Sequence, residues 1–125
     1  MKLHQIMHKR IVGISPNTKI DIAMKLLKSA NVDLMPVIDD GRLVGIIDET
    51  ALLPYSDKNA KSEVEKRVSE IMKRPLFLEE NSTVDEAIKY TIKHSLTRLP
   101  IVDSIENMMC LGMVSTTELL SAKKK

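Results

Sequence analysis

The residues from Ile20 to Asp39, IDIAMKLLKSANVDLMPVID, lie over those from Val84 to Asp103, VDEAIKYTIKHSLTRLPIVD, at an offset of 64 with no gap. Five of the 20 positions are identical: Asp21/Asp85, Ala23/Ala87, Lys25/Lys89, Pro36/Pro100 and Asp39/Asp103. Six more exchange one apolar residue for another, among them Met35/Leu99 and Val37/Ile101. Backwards, Lys9-Arg10 meets Lys73-Arg74. Forwards, after a three-residue insertion, Gly45-Ile46-Ile47 meets Gly112-Met113-Val114 and Leu52-Leu53 meets Leu119-Leu120. The chain is a tandem duplication, and such a period has to be recognised before any element is assigned. Units of about 60 residues bury a lone core poorly, so the two halves are expected to pack on each other.

Each half reads as β-α-β-β-α. A short extended stretch comes first, Ile11 to Ile14 or Leu76 to Leu78. A capping box follows, Thr18-x-x-Asp21 or Ser82-x-x-Asp85. The helix behind it carries apolar residues at helical spacing: Ile20, Ala23, Met24 and Leu27, then Val84, Ala87 and Ile88. Met35 to Ile38 and Leu99 to Val102 read as buried strands. Asp39-Asp40-Gly41 turns the chain into a second strand, Leu43 to Ile47. In the second half the turn is longer, Asp103 to Asn107, before Met108 to Val114. A helix starts at Asp48 and at Ser115. The polar stretch PYSDKNAK is the linker. Ser62 to Met72 is expected to be a helix with Val64, Val68 and Ile71 on one face, capped by Ser62-x-x-Glu65, and Met1 to His8 the matching lead-in of the first half. The fold class is α/β (α+β), with a first motif over 1–55, a linker over 56–63 and a second motif over 64–125.

Composition narrows the function. Nineteen Lys and Arg against 17 Asp and Glu leave a net charge of +2, too balanced for a polyanionic partner, and aromatics are 2% with no Trp. A single-stranded nucleic-acid binder needs stacking platforms that this chain can hardly build, so nucleic acid is not an expected partner, even with Lys73, Arg74 and the Lys123–Lys125 tail. No apolar run approaches a membrane span, and Met1 to Arg10 has no apolar signal region. The lone Cys110 allows no internal disulfide or multi-cysteine zinc site, and a cytoplasmic location is expected.

Two β-α-β-β-α copies, each with an apolar-Pro-apolar-apolar-Asp strand (MPVID, LPIVD), then Gly-apolar-apolar and a helix start, resemble a tandem pair of CBS domains, a Bateman module. The lead-in Ile71-Met72-Lys73-Arg74-Pro75 is similar too. The resemblance runs from about Ile6 to Leu120. It implies a regulatory module that takes an adenosine-containing ligand (AMP, ADP, ATP or S-adenosylmethionine) in a cleft between the two motifs, needs no other cofactor, and dimerises into a disc.

On that resemblance the Ser115-Thr116-Thr117-Glu118 stretch is the phosphate and ribose site: the Ser115 hydroxyl towards phosphate, the Glu118 carboxylate on the ribose hydroxyls. Strand ends that run into helix N-termini suit anions. The family prefers Asp where Glu118 stands, and Ser-x-x-Glu is equally a capping box; both readings stay open. Arg98, two residues before Pro100, and Lys73 and Arg74 before the first strand are candidate phosphate contacts, an Arg fork matching phosphate geometry. Leu76, Phe77 and Pro100 are candidate walls for a purine. In the first half Asp48 would repel phosphate, Ala51 cannot bind ribose and Leu34 replaces Arg98. Asp48 reads as a plain N-cap.

No nucleophile, general-base pair, phosphate-binding glycine loop or metal cluster stands out, and His4, His8 and His94 are scattered. Asp39, Asp40 and Asp48 are explained by a turn and a cap. An enzyme is not expected. With 125 residues, a stand-alone sensor acting in trans on an effector protein is the first expectation. A structural dimerisation module with degenerate, empty clefts is the second. A homodimer is expected, with the lead-in helices carrying Val64, Val68 and Ile71 as the interface.

Overall fold

The structure is a computed structural model and describes residues 1–56 and 65–124. Two compact units emerge. Unit 1 holds Met1–Ile11 with Leu76–Lys125, and unit 2 holds Val12–Pro75. Each unit is thus one repeat's body plus the lead-in of the other repeat. Met1 to His8 completes the second half, not the first.

Unit 2 contains α1 (Ile20–Ala30), β1 (Leu34–Asp39), β2 (Arg42–Asp48), the short α2 (Glu49–Leu52) and α3 (Val68–Ile71). Strands β1 and β2 pair antiparallel with Leu34 opposite Asp48. Asp40 and Gly41 both take positive φ, 51° and 80°, the backbone that a two-residue hairpin of the mirror-image type demands. Ile14 adds a single parallel bridge to Val37, the remnant of the expected strand at Ile11 to Ile14. Ile20, Ala23 and Leu27 on α1 face Met35, Val37 and Ile47, with Leu52 and Val68 closing the core.

Unit 1 repeats the plan with β3 (Leu78–Glu79), α4 (Val84–His94), β4 (Arg98–Val102), β5 (Cys110–Ser115) and α5 (Thr116–Lys123). Strand β3 lies parallel to β4, and β4 antiparallel to β5. Helices α1 and α4 end alike. Asn31 and Ser95 sit in the left-handed region at φ 56° and 54° and turn their N–H groups back on the last helical carbonyls, a common C-terminal stop.

The lead-ins explain three departures from expectation. First, neither expected capping box forms at the main helices. Lys19 stands at the N-cap of α1 with no side-chain bond. Thr83, one residue after Ser82, caps α4 by accepting from Glu86 N–H at 3.1 Å. The carbonyls of Thr18 and Ser82 accept instead from the lead-ins, from Val68 N–H at 2.8 Å and Leu3 N–H at 2.9 Å. Second, the helix expected over Ser62 to Met72 is confined to Val68–Ile71 among the described residues; Ser62, Val64 and all of the linker but Ser56 lie outside them. It starts where Arg67 N–H meets Glu70 Oε2 at 2.7 Å. Third, Val68 has no exposed surface. It is a core residue and cannot serve a subunit interface; nor can its counterpart Leu3, also fully buried.

Matching the bonds shows the true internal register. Lys2 bridges Thr83 as Arg67 bridges Lys19, and His8 bridges Met113 as Lys73 bridges Ile46. Thr83/Lys19 keep the offset of 64, while Lys2/Arg67 and His8/Lys73 stand 65 apart. Lys73 therefore corresponds to His8 rather than Lys9. The pair Ile6-Met7 and Ile71-Met72 carries that shift in the sequence itself.

Each lead-in crosses its hairpin over a glycine. A Cβ on Gly45 would stand 2.6 Å from Met72 Sδ and 2.9 Å from Lys73 O; one on Gly112 would strike His8 O and Met7 Sδ. In both cases a backbone carbonyl is in the way, which cannot swing aside like a side chain. Overpacking of this kind costs about 1–3 kcal/mol. Gly112→Ala and Gly45→Ala should each lower the melting temperature by on the order of 5–10 °C. A scan of each variant with a Tm equal to that of the unsubstituted protein would show that the lead-in is not seated there.

Candidate functional site

In unit 1 the chain runs from β5 directly into α5, so Ser115 ends a strand and caps a helix. Its Oγ accepts from Glu118 N–H at 3.1 Å, and its own N–H donates to Glu118 Oε1 at 2.8 Å. The capping box is complete. Thr116 is tied back to the turn before β4: its N–H and its Oγ1 both donate to Thr97 O, at 3.0 and 2.9 Å. The start of α5 is therefore rigid, with the N–H groups of Ser115, Thr116 and Glu118 already engaged.

Arg98 stands directly opposite Ser115 in the β4–β5 ladder. It is half-buried and its side chain bonds to no described residue. Pro100, opposite Met113, is buried. Leu76 and Phe77 lead into β3 half-buried, with Phe77 N–H donating to Tyr90 Oη at 3.3 Å. Ser115, Thr116, Glu118, Arg98, Pro100, Leu76 and Phe77 all belong to unit 1; Ser115, Thr116 and Glu118 form the start of α5, and Arg98 pairs with Ser115 across the ladder. Lys73 and Arg74 belong to unit 2.

The residue that sequence reasoning left without a role is His8. Its Nε2 pairs with Glu118 Oε2. Behind Glu118 a cavity of about 470 Å³ is lined by Met1, Gln5, Ile6, Ser121 and Ala122 as well. The available signal was the Ile6-Met7 echo of Ile71-Met72, which puts His8 at the position of Lys73.

Unit 2 builds the same corner with other chemistry. Asp48 caps α2 by accepting from Ala51 N–H at 2.9 Å through Oδ1, and its Oδ2 pairs with Lys73 Nζ at 2.8 Å. The lead-in cation is thereby neutralised by the residue that replaces Ser115. Leu34, opposite Asp48, is buried and apolar. An apolar-walled groove of about 340 Å³ lies elsewhere in this unit, between α1 and α2 at Leu27, Val32, Leu52 and Leu53. Among the described residues no group of three or more His, Cys, Asp or Glu side chains could hold a metal ion, and no helix is long and apolar enough to cross a membrane.

The family model for the CBS domain matches twice, over residues 3–58 and 68–125. A CBS domain-containing protein of Dictyostelium discoideum is 34% identical over 93% of this chain and 86% of its own length. The inosine-5'-monophosphate dehydrogenase of Thermoplasma acidophilum is 29% identical over 95% of this chain, which spans 23% of that enzyme's length. Among solved structures, the CBS domain pair of protein MJ0100, in complex with 5'-methylthioadenosine and S-adenosyl-L-methionine, superposes with a TM-score of 0.79 at 26% identity, covering 100% of this chain and 98% of that one. CBSX2 in complex with AMP shares the fold at a TM-score of 0.81 and 24% identity, covering 98% and 96%.

The placement of Arg98 opposite Ser115 depends on the turn that returns β4 into β5. Asp103 organises it. Its carboxylate accepts from Ser104 N–H at 2.7 Å and Met109 N–H at 2.9 Å through Oδ1, and from Asn107 Nδ2 at 2.6 Å through Oδ2. The Asn107 amide foremost, with the two N–H groups, holds the Asp103 carboxyl below its usual range, against partial desolvation. A carboxyl so depressed contributes stability above its unfolded value and loses it as pH falls through the folded one. Asp103→Asn should lower Tm at neutral pH, and the difference should close as the pH is taken from about 5 to about 2. A gap that stays constant over that range would show that the charge of Asp103 does not hold the turn.

Proposed function

The chain belongs to the CBS domain family, and we propose that it is a regulatory module whose unit 1 binds an adenosine-containing ligand at the start of α5. The role is sensing, with no chemical step of its own; the output passes to an effector protein. The observation that carries this reading is the register that sets Arg98 opposite Ser115 in the β4–β5 ladder, with Glu118 in the first turn of the helix that Ser115 caps. Phosphate matches the Arg fork and the Ser115 hydroxyl, and vicinal ribose hydroxyls match a carboxylate that accepts only. Phe77 and Leu76 offer the apolar surface a purine needs. Support comes from the CBS pair of MJ0100, which is similar over the whole chain and whose complex holds two adenosine compounds.

Unit 2 reads differently, on the Asp48–Lys73 pair. An anion there would have to displace a built-in carboxylate from its ammonium, and Ala51 leaves no acceptor for a ribose. We assign the ligand to unit 1 alone, about one site per chain. A module whose two corners are both empty, serving only to dimerise, draws on the same unit 2 pair and is the second reading.

A thermal-shift panel of AMP, ADP, ATP and S-adenosylmethionine separates the two. A ligand at 100 times its dissociation constant stabilises the native state by about 2.7 kcal/mol, on the order of 8 °C for a domain of this size. Glu118→Ala should abolish the shift and Asp48→Ala should leave it intact. No shift with any compound at millimolar concentration would favour the second reading.

A homodimer is proposed as well, with a changed interface. Since Val68 is in the core, the surfaces available are helical: Ile22 and Leu26 on α1, Ile92 on α4 (71% exposed) and Leu120 on α5. Apolar exposure repeated on three helices is what a self-complementary two-fold contact covers. Light scattering should give twice the chain mass at micromolar concentration, and Ile92→Glu should shift it towards the monomer. A monomeric mass for the unsubstituted protein would contradict the dimer.

A further inference from the structure

We propose that His8 is a positioning residue for Glu118 and makes ligand binding depend on protons: the protonated imidazole holds Glu118 Oε2, and an adenosine ligand binds best when His8 is neutral. This deepens, and rests on, the reading of unit 1 as the adenosine site.

Both partners are mounted on fixed backbone. His8 exchanges two hydrogen bonds with Met113, His8 N–H to Met113 O at 2.8 Å and Met113 N–H to His8 O at 2.9 Å. Glu118 is held in the first turn of α5 by Ser115. Oε1 is committed to the Ser115 N–H, so Oε2 is the oxygen left to receive a ribose hydroxyl, and His8 takes it. An ionised carboxylate offers about two acceptor sites on each oxygen; a ribose diol that takes both sites of Oε2 has to displace the imidazole, so the two compete there. A neutral imidazole with hydrogen on Nε2 offers a hydrogen bond; an imidazolium adds a charge and holds harder. Histidine changes charge between about pH 5 and 8. The competition is therefore strongest in acid and fades as pH rises.

The other charged or titratable groups on the elements around His8 do not contest the assignment. On α5, Lys123 pairs with Asp85 at 3.2 Å. On β5 the one titratable group, Cys110, is buried, and burial pushes its thiol up. On the lead-in itself stand the Met1 amino group, Lys2, His4, Lys9 and Arg10, all exposed; Met1 lines the cavity beside Glu118, and its amino group is common to the unsubstituted protein and the His8→Gln variant. Glu118 is the carboxylate that His8 pairs with. Unit 2 gives the contrast: at the matching position stands a lysine, and Lys73 pairs with Asp48 at 2.8 Å.

The test has two arms on the full chain. In the first, the AMP dissociation constant is measured by calorimetry at pH 6 and pH 8 for the unsubstituted protein and for His8→Gln, which keeps a hydrogen-bond donor and loses the charge. The variant also reports the titration of the AMP phosphate itself. From pH 8 to pH 6 the unsubstituted protein should lose about fivefold more affinity than the variant, the size expected of a partly exposed ion pair. Equal losses overturn the latch and leave the adenosine site standing. No AMP binding by either form, together with no shift from ADP, ATP or S-adenosylmethionine, overturns the adenosine reading and the latch with it. In the second arm, on the ligand-free protein at about pH 6, the imidazole ring NMR resonances of His8 are compared with and without Glu118→Gln. They should move in the variant; unmoved ring resonances overturn the pairing independently of any ligand.

Discussion

A glycine, a crossing backbone and two hydrogen bonds decide the architecture of this chain. In unit 1 His8 and Met113 exchange N–H···O bonds where the lead-in passes over Gly112; in unit 2 Lys73 and Ile46 do the same over Gly45. Through these crossings each repeat lends its first residues to the other repeat's core. Leu3 and Val68, fully buried, are the side chains delivered. A two-stranded hairpin is marginal on its own, and the lead-in adds apolar contact to it and satisfies the carbonyls before α1 and α4. Folding must therefore bring together residues 79 and 105 apart in unit 1 (Leu3 with Ser82, His8 with Met113) and 50 and 27 apart in unit 2 (Thr18 with Val68, Ile46 with Lys73), a non-local closure that slows folding more than it weakens the final state.

The same crossings decide where chemistry is possible. They carry His8 to the start of α5 and Lys73 to the start of α2. One corner holds a hydroxyl, a carboxylate and an imidazole; the other holds an aspartate already answered by an ammonium. A duplicated scaffold has kept its geometry in both halves, and the two helix starts differ in a handful of side chains.

Much of this was legible in the residues. The repeat at offset 64 placed α1, β1, β2, α4, β4 and β5, because those elements rest on local periodicity and on turn chemistry such as Asp40-Gly41. Ser115 and Glu118 declared their capping box, and Asp48 its cap. The lead-ins were not legible to the same degree. Their docking is a long-range hydrogen-bond match, and a one-residue slip between Lys9-Arg10 and Lys73-Arg74 hid it, although Ile6-Met7 against Ile71-Met72 carried the correct register. The capping boxes at Thr18 and Ser82 did not form because the helices start one residue later, with Lys19 and Thr83 at their N-caps. His8 had no role for want of that register. The interface assigned to Val68 fell with it, an apolar face having been read as outward when a neighbouring core was waiting for it.

The asymmetry of the two corners is the central claim, and an amide-resolved NMR titration with AMP tests it most directly. The account predicts shifts concentrated at His8, Arg98 and Ser115 to Glu118, saturating at about one ligand per chain, with Asp48 to Ala51 and Lys73 unmoved. Equal perturbation of both helix starts, or shifts confined to α2, would contradict it.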